Sequence, residues 1–232
     1  AIEPVPFVED ATLRQALYPY RGKIKGLESY DKILVERVVM GDAQLPGTIL
    51  RLPMLYGPRD PQHRLFVYLK RMDDKRPAIL LEEGLADWRW SRGYVENVAW
   101  AIAQAVEDKR AAGRIYNVAE PEALSMAEWI GAIGQVAGWK GEIVVVPRDC
   151  LPAHWRANIN TKQHMVADTS RIRKELGYSE LVPRDEALRR TIAWEREHPP
   201  AEIDNGLFDY ATEDALLADL EQRKKEEHSG KD

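Results

Sequence analysis

The hydrophobic and polar positions along the chain alternate between two periods, and this alternation predicts an α/β fold. Apolar residues recur at three- and four-residue spacing over 29–40, 65–72 and 94–107, which is typical of helices with one apolar side. Runs rich in β-branched and aliphatic residues lie between them, and Pro53 and Pro147 each end one such run. Strands that alternate with helices are typical of a sheet covered by helices. The predicted strands are 48–52, 78–81, 114–118 and 142–146.

Residues that start or stop helices predict several boundaries. Ser125 and Glu128 have the spacing of a capping box, in which each side chain satisfies an unpaired backbone donor at the start of a helix. Asp168 is expected to cap a short helix that Gly177 ends, because glycine readily adopts the left-handed conformation found after a helix. The segment 212–227 begins amphipathic and becomes a charged run, which predicts a solvated helix end.

Composition excludes several classes of function. The chain has 232 residues and a formal net charge of −5, so its overall field repels phosphate backbones and disfavours nucleic-acid binding. A single cysteine, Cys150, rules out an intrachain disulfide and fits a reducing cytoplasm. No apolar run has the length needed to cross a bilayer, and the five histidines lack metal-ligand spacing. We therefore expect a cytoplasmic protein with no metal, no membrane span and no nucleic-acid partner.

The segment from Glu28 to Glu36 resembles the active-site helix of extended short-chain dehydrogenases/reductases, the NAD-dependent epimerase/dehydratase family. In that helix a tyrosine lies four residues before a lysine, so that both side chains share one face. The lysine lowers the pKa of the phenol, which acts as a base, and also binds the cofactor ribose. Here Lys32 and Glu36 fit the pattern, whereas Glu28 takes the place of the tyrosine.

Tyr30 lies two residues before Lys32, which predicts that it points to the opposite side of the helix. The resemblance implies catalytic roles for Lys32 and Tyr30 only if the helix is distorted to bring Tyr30 in. Otherwise the usual base is absent. A plain amphipathic surface helix would show the same pattern of polar and apolar residues.

The run from Arg51 to Pro58 resembles the family's next strand and the loop that follows it. A proline there ends a buried strand at its carboxyl end, where ligands bind in open α/β sheets. In the family, the backbone at the positions of Pro53, Met54 and Leu55 lies against the nicotinamide, which implies cofactor contacts for these residues. The alternative is an ordinary transition from strand to turn.

The segment 94–99 resembles a third family motif, tyrosine-valine-x-aspartate-valine-alanine, with Asn97 in place of the aspartate. Trp90 occupies the position of a nearby arginine that binds the substrate diphosphate in sugar-nucleotide members. Arg89 and Arg92 flank it, and a planar, permanently charged guanidinium suits that task. Each is also compatible with an exposed arginine at a strand edge. The candidate substrate-binding residues are Tyr56, Arg64, Arg89 and Arg92.

No glycine-rich loop follows a predicted strand, so the phosphate-binding loop of the cofactor is expected to lie outside this chain, which begins at Ala1. The expected organisation is a remnant of the nucleotide-binding domain over 1–60, a mixed substrate-binding lobe over 61–197 and a partly helical tail over 198–232. Residues 114–118 resemble the strand that returns to the nucleotide-binding sheet. The resemblance thus implies the C-terminal part of a Rossmann-like doubly wound parallel sheet plus a small α/β substrate-binding lobe.

The family resemblance implies an NAD(P)-dependent epimerase/dehydratase-like oxidoreductase, with NAD or NADP as the cofactor of the intact parent. The substrate would be a sugar nucleotide or a related carbonyl or hydroxyl compound. Glu28 in place of the tyrosine favours an alternative, a non-catalytic dinucleotide-binding sensor or scaffold. A nucleic-acid-binding member of the superfamily is a third reading, which the acidic balance disfavours. A truncated sheet exposes an edge, so we expect a homodimer or association with the missing N-terminal half.

Overall fold

A computed structural model describes the chain over residues 2–19, 21–23 and 25–229. Residues 1, 20 and 24 of the predicted domain remnant and residues 230–232 of the predicted tail lie outside the described residues. The strands are β1 (Ile49–Arg51), β2 (Met54–Tyr56), β3 (Ala78–Glu82), β4 (Arg92–Tyr94), β5 (Ile115–Asn117) and β6 (Glu142–Val146). The α-helices are α1 (Lys32–Met40), α2 (Phe66–Asp73), α3 (Glu83–Ala86), α4 (Val95–Glu107), α5 (Met126–Ala137), α6 (Ser170–Leu176), α7 (Arg184–Glu197) and α8 (Tyr210–Ser229).

The strands form parallel pairs, with β1 beside β5, β2 beside β4 and β3 beside β6. Parallel strands need a crossover between them, and helices lie between the partners of each pair along the chain. This arrangement confirms the predicted α/β class. Among the described residues, short 3₁₀ helices lie at Lys109–Ala111, Arg148–Cys150, Ala153–Trp155 and Asn205–Phe208.

The first of two compact units comprises Ala1–Gly57, Trp90–Ala123 and His164–Arg184. It contains β1, β2, β4 and β5 with helices α1, α4 and α6. Its core brings together side chains of α4 and the 3₁₀ helix that follows it, of β5 and the residue after it, and of α6 and the segment after it. The buried members are Val98, Ala101, Ala105, Ala111, Tyr116, Val118, Ile172, Leu176 and Tyr178.

The second unit comprises Pro58–Arg89, Leu124–Gln163 and Asp185–Asp232. The predicted capping box is confirmed at the start of α5. The Ser125 hydroxyl accepts the backbone N–H of Glu128 at 3.2 Å, and the Glu128 carboxylate accepts that of Ser125 at 2.8 Å. Near the C-terminus, Arg71 of α2 donates to the buried Glu213 carboxylate at 2.8 Å, which attaches α8 to α2.

Two local predictions are wrong, and both errors have a structural reason. Helix α6 begins at Ser170 with Thr169 at the cap position, so Asp168 lies one residue too early, although its carboxylate accepts the backbone N–H of Ser170 at 2.7 Å. Helix α1 begins at Lys32, three residues later than expected, because the carboxylate of Asp31 accepts the N–H of Ile33 and caps the helix there.

None of the helices in the described part of the chain is long and apolar enough to cross a membrane.

Candidate functional site

The start of α1 places Tyr30 and Lys32 next to one another. Because Tyr30 precedes the helix, the prediction that it points to the opposite side of a helix is wrong. The Lys32 ammonium lies 5.4 Å from the centroid of the Tyr30 ring, within the range of a cation–π contact. Tyr30 is 36% exposed and Lys32 is also exposed. The two predicted catalytic residues are therefore neighbours that both face solvent.

Glu28, at the position of the family tyrosine, lies in a turn before the helix. Its carboxylate accepts the backbone N–H of Gly26 at 2.9 Å, and this hydrogen bond lowers the pKa of Glu28. An ionised carboxylate with a lowered pKa is a much weaker base than a phenolate, so it is less suited to take a proton from a substrate hydroxyl. The position of the family base is therefore occupied by a group with different chemistry.

Pro53, Met54 and Leu55, the predicted cofactor contacts, connect β1 to β2 and begin β2. Met54 pairs with Arg92 of β4, and Leu55 pairs with Gly93. A Cβ atom added at Gly93 would lie 2.8 Å from the Pro53 side chain and 2.8 Å from that of Val98, both closer than real Cβ contacts. Glycine is therefore needed where β4 packs against Pro53, and this close packing fixes the backbone of the segment.

The hydroxyl of Tyr56 is buried at the end of β2 and donates to the Glu120 carboxylate at 2.6 Å. The other oxygen of Glu120 accepts the Arg184 guanidinium at 2.8 Å. Burial, reinforced by the charge of Glu120, raises the pKa of Tyr56 far above that of an ordinary tyrosine. Tyr56 therefore stays protonated at neutral pH and is unsuited to act as a general base.

Sequence reasoning missed Glu120 and Arg184. A signal for Glu120 exists, since it follows β5, and the carboxyl ends of parallel strands meet at one edge of a sheet. Arg184 carries no comparable signal, because it is the first residue of α7 and lies 64 positions from Glu120.

Two of the three candidate substrate-binding arginines lie in the second unit and one lies in the first. Arg64 pairs with Asp60 at 2.5 Å, and Arg89 pairs with Glu128 at 3.0 Å, both within the second unit. Arg92 is 3% exposed in β4 of the first unit, and its guanidinium donates to the Trp90 carbonyl at 3.1 Å.

A second pair that sequence reasoning missed joins His63 to Glu195 in the second unit. The His63 Nδ1 lies 2.8 Å from a carboxylate oxygen of Glu195, whose side chain has no exposed surface. Burial raises the pKa of Glu195, against the opposing effect of His63. The His63 ring also stacks on Trp194 with centroids 5.5 Å apart. Across the described residues, no group of three or more histidines, cysteines and carboxylates is placed to hold a metal ion.

Comparison with known proteins places these segments in context. Residues 23–119 match the model of the NAD dependent epimerase/dehydratase family. The dTDP-glucose 4,6-dehydratase of Streptomyces griseus is 29% identical over 146 residues, which cover 62% of this chain and 40% of that protein. The matched region contains the Tyr30–Lys32 pair and the segment 53–56.

Solved structures show the same fold. The UDP-glucuronic acid 4-epimerase of Bacillus cereus, solved with UDP-glucuronic acid and NAD, superposes with a TM-score of 0.62 at 21% identity, covering 85% of this chain and 58% of that one. The UDP-glucose 4-epimerase of Thermotoga maritima, solved with UDP-glucose, superposes with a TM-score of 0.55 at 19% identity, covering 72% and 50%. These likenesses confirm the predicted Rossmann-like α/β fold. The chain spans about half the length of the curated relatives it matches, from 40% to 54%.

Proposed function

Because residues 23–119 belong to the NAD dependent epimerase/dehydratase family, we propose that the intact protein is an NAD(P)-dependent oxidoreductase of the epimerase/dehydratase type. Its substrate would be a sugar nucleotide or a related compound with a carbonyl or hydroxyl at the reacting carbon. The observation that carries the proposal is the contact between Tyr30 and Lys32, which brings a phenol and an ammonium together despite the loss of the family tyrosine at Glu28.

The residues near α1 suit the cofactor's ribose. Lys32 forms no ion pair with any described residue, so its three N–H donors are available for the ribose hydroxyls. The backbone of Pro53, Met54 and Leu55 would lie against the nicotinamide, as the family resemblance implies. The nicotinamide, when bound, supplies the hydride acceptor. Tyr30 would take the proton of the substrate hydroxyl, while the charge of Lys32 stabilises the phenolate.

The same resemblance assigns the substrate side of the proposal. Tyr56, Arg64, Arg89 and Arg92 are the proposed substrate-binding residues. For Tyr56 this role is that of a neutral hydroxyl, since burial keeps its phenol protonated. Arginine guanidinium groups match the geometry of a diphosphate.

A non-catalytic dinucleotide-binding sensor or scaffold is the second candidate, and one observation favours it. Glu28 stands where the family has its base, and its carboxylate is held in a local turn. Ribose binding alone would then account for Lys32.

We propose a cytoplasmic protein that forms a homodimer or associates with an N-terminal half. Family dimers commonly use the helix that carries the active-site lysine. In this chain Val35 and Val38 of that helix are 55% and 76% exposed, which leaves an apolar surface to cover. The single free cysteine, Cys150, is compatible with a reducing compartment.

Calorimetric titration with NAD and NADP, on this chain and on a longer form that includes any preceding segment, tests the proposal. We expect micromolar binding in the longer form and about tenfold weaker binding for Lys32→Ala, which loses the ribose contacts. Lys174→Ala is the matched control, because it removes another exposed positive charge, from α6 of the same unit. Unchanged affinity in Lys32→Ala contradicts the role of Lys32. Absence of binding in every form contradicts the function itself.

Tyr30→Phe separates the two candidates. An enzyme that uses this phenol keeps its dinucleotide affinity but loses turnover of the substrate. A sensor or scaffold keeps its affinity and has no turnover to lose.

A further inference from the structure

Asp31 lies between Tyr30 and Lys32 in the chain, yet its environment is the opposite of theirs. Its side chain has no exposed surface, whereas both neighbours are exposed. A buried carboxylate is unfavourable unless it accepts hydrogen bonds or pairs with a cation. The partners of Asp31 therefore indicate why it is buried at this point.

Three donors converge on the Asp31 carboxylate. One oxygen accepts the backbone N–H of Ile33 at 3.1 Å, which is the cap contact that starts α1. The same oxygen accepts the guanidinium of Arg14 at 3.0 Å. The other oxygen accepts the backbone N–H of Tyr18 at 2.6 Å. One side chain thus sets the first residue of the helix and holds the preceding segment 14–18 against it.

The contact with Tyr18 has a direct consequence for Tyr30. The ring of Tyr18 meets that of Tyr30 edge to face, with centroids 4.9 Å apart and planes at 66°. The Arg14 guanidinium lies 5.6 Å from the Tyr18 centroid and also donates to the Ala16 carbonyl. The Tyr30 ring is therefore contacted by Tyr18 as well as by the Lys32 ammonium.

We propose that Asp31 is a positioning residue for the Tyr30–Lys32 pair. It acts by capping α1 at Lys32 and by holding Tyr18 against the Tyr30 ring. This inference rests on the proposed function for its importance, but the geometry that it describes can be tested without a cofactor.

Asp31→Asn is the informative variant. Asparagine is as good a helix cap as aspartate, so the contact with Ile33 is kept. Because the single amide oxygen stays with Ile33 and Arg14, the NH₂ group faces the Tyr18 N–H, and a donor opposite a donor does not bond. Ser125→Ala in the second unit is the matched control, because it removes a helix cap far along the sequence from the pair.

The first measurement is nuclear magnetic resonance of the whole chain with labelled tyrosine rings. We expect proton contacts between the rings of Tyr18 and Tyr30 in the wild type and in Ser125→Ala, and their loss in Asp31→Asn. Ring contacts that persist in Asp31→Asn overturn the inference. This readout does not depend on dinucleotide binding.

The second measurement is dinucleotide affinity, in whichever form of the protein binds. We expect Asp31→Asn to weaken binding about fivefold, Ser125→Ala to leave it unchanged, and Asp31→Asn to add nothing in a Lys32→Ala background, because residues that act through one another are non-additive. Additive effects, or an equal loss in Ser125→Ala, overturn the inference. A wild type that shows the ring contacts but binds no dinucleotide contradicts the proposed function and leaves the positioning by Asp31 supported.

Discussion

Replacing Asn97 by aspartate removes one N–H donor from the interior of the first unit, at a position where the family motif has aspartate. Asn97 is 3% exposed in α4. Its Nδ2 donates to the Val182 carbonyl at 2.8 Å, and its Oδ1 accepts the Val182 N–H at 2.9 Å. The amide thus satisfies both backbone groups of one residue. A carboxylate satisfies the N–H but places an acceptor opposite the carbonyl.

The expected loss in the free energy of unfolding follows from these two contacts. Losing the hydrogen bond to the carbonyl costs about 1 kcal/mol, and leaving that buried acceptor without a donor adds roughly 1–3 kcal/mol. We therefore expect Asn97→Asp to lower the free energy of unfolding by about 2–4 kcal/mol at neutral pH. The new carboxyl can donate when protonated, so its pKa in the folded state lies above the unfolded value of about 3.9. The deficit is accordingly full above the folded-state pKa and shrinks as the pH falls towards the unfolded value.

Urea denaturation of the wild type and Asn97→Asp over a pH series measures both the deficit and its pH dependence. Asn158→Asp is the control, because it makes the same chemical change at an exposed position. A deficit in Asn97→Asp that equals that of the control, or that does not shrink at low pH, refutes the reasoning.

Three further substitutions test other parts of the structure. Tyr56→Phe removes the donor to Glu120 and should lower stability by about 1–3 kcal/mol in thermal or urea unfolding; an unchanged midpoint contradicts the buried hydrogen bond. Burial raises the pKa of Glu195 in the folded state, so this carboxyl stabilises the fold while it is protonated. Its contribution is fully present below the unfolded-state pKa of about 4.3 and is lost as the pH rises through the folded-state pKa. Glu195→Gln removes this titrating group. The variant should therefore show a flatter decline of stability across this window, and an unaltered slope argues against the burial effect. Gly93→Ala brings a Cβ within 2.8 Å of two side chains and should destabilise by roughly 1–3 kcal/mol, whereas a neutral effect in the same denaturation assay shows that the strands adjust.

Local signals predicted the parts of the fold that local chemistry decides. The capping box at Ser125 is a contact within four residues, and β6 is a five-residue run of mostly β-branched residues, so both are visible in the sequence. The strands β2 and β4 have three residues each, too few for a periodic pattern, and they exist because they pair with each other. Such pairing between distant segments is absent from a local pattern.

Helix α4 shows a second limit of periodicity. Its large apolar residues Ile102 and Val106 are 40% and 80% exposed, whereas Ala101 and Ala105 face the core. Hydrophobic spacing predicts a helix but weighs large side chains most, while close packing selects small ones where the helix approaches Tyr116 and Val118. The element was therefore predictable, and its buried side only in part, since the apolar Val98 is buried together with the two alanines.

The assignment of the catalytic base shows why the candidate site could not be predicted from the sequence alone. Sequence spacing placed Tyr30 on the opposite side of a helix from Lys32, whereas the helix begins only at Lys32, after the Asp31 cap that accepts the Ile33 N–H. Tyr56 belongs to the longer family motif, which runs from Arg51 to Pro58. Its hydroxyl is buried and donates to Glu120, and burial together with the charge of Glu120 raises its pKa. Tyr30 is exposed and adjacent to an ammonium. Of these two tyrosines we therefore propose Tyr30 as the base, because its side chain is exposed beside an ammonium, whereas that of Tyr56 is buried.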